Sequence, residues 1–324
     1  MKITELRKML NSTSDTNLKK ALVETYKLLP KNKKEEADAL IESILTGTEP
    51  KKVVPKVDYE KLSKEIQRFL SNAYEQNYLR PNRVVQKKDR PKWRFLVKNY
   101  VKELENVSVE NPFYDEAVNL LTNLYNMMCY ACNYYLFSSA DPFQSVGIEQ
   151  PRFYDILAKK TLAKGYTTEA CTNLLVCATQ SGLSAMALNL YQEINLISHL
   201  NASNQLHFAI ECAKDLVIST NDKLNKASNR NNQYFLKEQI NNLCDFILMA
   251  QFELKEYDEN TIKYYFDNRI EHDQEVTLYC ALDLVRYYDE DDDELWIQIY
   301  EYGVKKRKIK PRDRLKEMYK DKLK

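Results

Sequence analysis

"TEACTNLLVCATQSGLSAMALNLYQEI", residues 168–194, sets the reading of the whole chain. Two short segments flank a single glycine, Gly182, and Ala187, Leu188, Leu190 and Tyr191 follow it at helical spacing. Small and apolar side chains in that pattern let two helices nest closely, so helices are expected over 167–180 and 183–199 with the turn at Gly182. The same reading extends in both directions. Helical segments are predicted near 112–138, 150–164, 203–219, 230–256, 259–268, 272–288, 291–304 and 311–323. The breaks between them are brief and have stop chemistry ("SSADP", Gly165, "NASN", "STND", Gly303), and short connections imply antiparallel neighbours.

Composition agrees with helices. The chain has 324 residues, 44% of them apolar, but only 5 glycines, and strands joined by tight turns draw heavily on glycine. The expected fold class is all-α: a small N-terminal helical unit plus a large α-solenoid-like stack of antiparallel helices. The predicted boundaries are a three-helix unit at 1–46, a linker at 47–57 ("GTEPKKVVPKV") and a helical-stack domain at 58–324. In the first unit the apolar positions are Ile3, Leu6 and Leu10, then Leu18, Leu22, Tyr26 and Leu29, then Ala37, Leu40, Ile41, Ile44 and Leu45.

The 168–194 hairpin resembles those of tetratricopeptide and pentatricopeptide repeats. No second copy recurs at a fixed period, so the resemblance implies an architecture and no ligand. Residues 1–34, through "LRKMLNSTSDTNLKKALVETYKLLPKNKK", resemble uncharacterised bacterial helical proteins, as does "RPKWRFLVKNYVKEL". That likeness implies no activity.

Net charge is +1, no run of about 18 apolar residues is available to span a membrane, and no apolar N-terminal leader is evident. Seven cysteines suit a reduced, cytoplasmic protein better than a disulfide framework. Cys129 and Cys132, in "MMCYACNYYLF", have the spacing of a zinc or dithiol pair, but no second pair or suitably placed histidine completes four ligands. They are expected to be buried packing residues within a helix, with no metal or cofactor. "DEDDDE" at 289–294 lacks the glycine and the final glutamate of a calcium loop, so it is read as the N-terminal cap of the helix carrying Leu295, Trp296, Ile299 and Tyr300, with Lys305–Lys308 at the other end. Glu271 and Glu275 around His272 are read as a solvated helix start.

No phosphate-binding glycine loop and no hydrolase, metalloprotease or kinase motif is present, so the expected class is a non-enzymatic scaffold for a protein or peptide partner. The alternative is a nucleic-acid-binding protein that uses two basic segments, 80–94 and 305–316. The candidate binding residues are Arg80, Arg83, Lys87, Lys88, Arg90, Lys92, Trp93 and Arg94. Cations there would neutralise phosphates and aromatics would stack on bases. The competing explanation is a solvated loop whose Trp93 anchors the next helix in the core.

Overall fold

The computed structural model describes residues 3–47, 57–288 and 292–323. Residues 48–56 of the expected linker and 289–291 of the acidic run lie outside the described residues. Every regular element among those described is helical: sixteen α-helices and one 3₁₀ turn. Two units separate, Met1–Asp58 and Tyr59–Lys324.

In the first unit, α1 (Ile3–Asn11), α2 (Asp15–Lys27) and α3 (Lys31–Thr46) follow one another through short turns. Pro30 stands just before α3, where its fixed φ suits a helix start, and Gly47 ends α3 in the left-handed region at φ 67°. The Tyr26 hydroxyl donates to Asp38 Oδ1 at 2.7 Å and ties α2 to α3. Leu18, Tyr26, Leu29, Ala37 and Ile41 are half-buried, whereas Leu6, Leu10, Leu22, Leu40, Ile44 and Leu45, expected on the same inward faces, are exposed. Three helices this short have too little surface to enclose a complete core.

The second unit is built around two central helices. The first is α6 (Tyr114–Asn133), on which Leu121, Leu124, Tyr125, Met127, Met128 and Cys129 are fully buried. Packed against it are α4 (Tyr59–Tyr74), α5 (Trp93–Glu105), the short α7 (Pro142–Val146), α8 (Gln150–Leu162) and α9 (Thr168–Thr179). The second is α12 (Arg230–Leu254), whose C-terminal half is apolar on every side from Leu243 to Ala250 and accordingly buried, apart from Asp245. It touches α9, α10 (Asn189–Ser198), α11 (Ser203–Lys226), α13 (Glu259–Asn268) and α14 (Gln274–Tyr288). The chain closes with α15 (Asp293–Lys305) on α13 and α14, and α16 (Asp313–Lys322) on α15. Asp292 caps α15 by accepting the Leu295 amide at 2.9 Å, as the acidic run suggested.

Three differences from the sequence expectation have physical causes. The helix expected over 112–138 stops at Asn133, where Tyr134 turns extended and lets Phe137 swing into the core. Residues 180–188 are irregular, so α10 begins at Asn189 and Ala187 and Leu188 precede it. That loop is held away from helical geometry by side chains of two other segments. Asp141 Oδ2 accepts the Ser184 hydroxyl at 2.6 Å and the Ala185 amide at 2.9 Å, while Gln150 accepts the Ser184 amide at 2.8 Å and donates to Gly182 O at 3.2 Å. The third concerns Glu271 and Glu275, which do not share a helix face. Glu271 precedes α14 and pairs with Arg269, and Glu275 is buried beneath Arg312, whose amide donates to it at 2.8 Å.

Candidate functional site

A cleft of about 990 Å³ opens between the segment joining α4 to α5 and the segment joining α6 to α7. An aromatic cluster holds the two segments together. Trp93 stacks face to face on Phe137 at 4.0 Å between ring centres, and Phe69 and Tyr78 pack on the same Phe137 at 6.2 and 5.5 Å. Trp93 is only 5% exposed, so it anchors α5 in the core while one edge contributes to the cleft floor. Tyr78 also lines the cleft, and burial pushes its hydroxyl pKa up to about 12, which keeps it a hydrogen-bond donor.

The basic walls follow from how the first segment ties itself. Asn82 Oδ1 accepts the amides of Val84 and Val85 at 3.1 and 3.3 Å, a turn an asparagine side chain can form alone. Arg90 closes that turn, its Nε donating to Val85 O at 3.1 Å and its terminal nitrogen to Asn82 O at 2.5 Å. Asp89, the single acid of the stretch, pairs with Lys92 at 2.7 Å, a bond that holds its carboxyl below the usual range. The eight residues singled out in sequence therefore divide by role. Arg80, Lys87, Arg90, Trp93 and Arg94 line the cleft; Arg83, Lys88 and Lys92 are exposed outside it. The opposite wall adds Tyr135, which is 77% exposed, and Ser138, Ser139 and Ser145, with Ser139 and Ser145 hydroxyls 2.8 Å apart.

Among the described residues, no carboxylate, imidazole or thiol lines this cleft. It offers cations, hydroxyl donors and an exposed ring. Comparison with protein-family models, with curated proteins and with solved structures finds no match to the chain. The second basic segment is different: acids occupy most of it. Lys305 pairs with Glu301 at 2.6 Å, Lys306 with Glu259 at 2.9 Å, Arg307 with Asp267 at 2.7 Å and Lys316 with Asp313 at 2.9 Å. Two of these pairs, Lys306–Glu259 and Arg307–Asp267, fasten the end of α15 to α13, and the other two are local, within α15 and within α16, whereas the 80–94 segment runs into α5 and faces Ser145 of α7 across the cleft.

Cys129 and Cys132 sit near the C-terminal end of α6; Cys129 is fully buried and accepts from Gln150 Nε2 at 3.3 Å, whereas Cys132, expected to be buried with it, is only half-buried. Burial pushes the Cys129 thiol pKa well up and that of Cys132 to about 12, the opposite of a reactive thiolate. No cluster of three or more metal-ligating side chains occurs among the described residues. Sequence reasoning missed the opposite wall of the cleft. Its only signal was the "SSADP" break, which also carries Asp141, whose Oδ1 accepts the Gln144 amide at 3.1 Å and caps α7.

Proposed function

We propose that the protein is a non-enzymatic helical scaffold that binds an anionic ligand in the cleft between residues 78–94 and 135–145. The observation that carries this reading is four cations, Arg80, Lys87, Arg90 and Arg94, around one cleft with no acid among the described residues that line it. In a chain of net charge +1 with 47 acids, such a concentration favours a ligand that brings its own negative charge. Arg90 is already committed to two carbonyls, so Arg80, Lys87 and Arg94 are the cations offered to the ligand. An α-solenoid-like arrangement is supported by successive helices packing on their sequence neighbours, and a cytoplasmic setting by seven unpaired thiols.

The test is binding of a labelled polyanion to the full chain. Lys87→Glu with Arg94→Glu should weaken it at least tenfold, with a matched loss of salt dependence. Unchanged affinity in that double variant removes the reading. A second reading, a peptide partner, is favoured by the cleft of about 680 Å³ on the other side of α7, where Phe143, Ile148, Pro151, Met186 and Tyr191 make a mainly apolar wall. Met186 there is 72% exposed.

A further inference from the structure

Resting on the anionic-ligand reading of the cleft, we infer that its ligand is single-stranded nucleic acid. The cations account for a negative charge but not for the ring beside them. Tyr135 stands 77% exposed in the cleft wall, its carbonyl held by Gln76 Nε2 at 3.0 Å, so the ring projects from a fixed backbone. Next to it begins a ladder of half-exposed rings. Tyr134 stacks on Tyr130 at 4.4 Å with 22° between planes, and Tyr130 meets Tyr74 edge-on at 5.6 Å. Tyr135 follows Tyr134 directly in the chain, in a tight turn closed by the Leu136 amide on Tyr134 O at 2.9 Å, so cleft and ladder meet at the 134–135 peptide. Wet, pre-ordered tyrosine faces are what an unpaired base stacks on.

The phosphates have a track as well. On α5, Arg94, Lys98 and Lys102 recur every fourth residue, about 6 Å apart along the axis. That matches the spacing of successive phosphates in an extended strand. All three are exposed, and Lys98 Nζ lies 3.6 Å from where a β-carbon on Gly147 would sit, so the track leads from the cleft along the α7 side. A duplex keeps its base faces stacked inside and cannot use Tyr135; a run of aspartates and glutamates has no ring to place there.

Fluorescence anisotropy on the full chain, near physiological salt, separates these ligands with three probes: a short labelled oligouridylate, a duplex of the same length, and labelled polyglutamate. The oligouridylate should bind at least tenfold tighter than the other two. Tyr135→Leu should weaken it roughly fivefold to a hundredfold, the range for losing one base-stacking ring, while Tyr135→Phe keeps it. The exposed side chain makes both variants foldable, and circular dichroism checks that. Polyglutamate or duplex binding as tightly, or indifference to Tyr135→Leu, overturns the inference; if Lys87→Glu with Arg94→Glu still abolishes that binding, the anionic-ligand reading stands. No binding to any of the three probes overturns both.

Discussion

Gly182 shows how much one residue can settle. Its φ is +100°, and a β-carbon there would lie 2.2 Å from Cys129 O. The glycine is thus required twice, by its conformation and by the approach of the α6 backbone. Gly182→Ala should destabilise the chain by about 3 kcal/mol, a large effect for a single methyl; a denaturation midpoint equal to wild type would show that the loop sits elsewhere. The glycine was visible in sequence as a turn. The reason for it was not, because Cys129, Asp141 and Gln150, which hold the loop in place, come from a distant part of the chain. Trp93 was legible for the opposite reason: its core-facing position follows from helical spacing alone. Phe137 was not, since no glycine or proline marks the point where α6 ends.

Among elements, the basic segment owes its shape to Arg90. A guanidinium spans both Asn82 O and Val85 O, which a lysine ammonium cannot do in the same geometry. Arg90→Lys and Arg90→Ala should each cost about 1 kcal/mol and admit trypsin at Arg83, Lys87 or Lys88 well before the helical body is cut; a digestion pattern like wild type would assign the turn to Asn82 alone. A second element-scale test lies under α10. Glu193 is 1% exposed, its Oε1 has no partner, and burial, with Asp245 nearby, pushes its pKa well above the normal range despite Arg269. A carboxyl raised in the folded state, against about 4.3 unfolded, contributes most below that unfolded value, and the contribution is lost as pH rises toward the folded one. Glu193→Gln should therefore match wild type in acid and exceed it at neutral pH by about 1 kcal/mol or more. Urea midpoints at the two pH values measure it, and a variant less stable at neutral pH would mean that the carboxylate is ionised in place. The helices themselves were largely legible from periodicity, as with α12, α13 and α14. The five-residue α7 was not, being too short to show a period.

Across the whole molecule, the two basic segments look alike as strings and differ as surfaces. Charge is readable from sequence; the partner that cancels it is not, because Glu259, Asp267 and Glu275 reach the C-terminal cations only through the packing of α13 and α14 against α15 and the segment leading to α16. Lys305→Glu with Lys306→Glu should accordingly leave oligonucleotide affinity within about twofold, the long-range share of two screened charges, while lowering thermal stability. A tenfold loss of affinity in that variant would place the C-terminal segment in the binding surface after all.

The stack of Trp93 on Phe137 has an optical consequence. The chain holds only 2 tryptophans, and the other, Trp296, lies in the α15 core. A Trp296→Phe chain would emit from the floor of the cleft alone. Its fluorescence would then follow, without any label, each occupant that enters and any loosening of the two loops that meet there.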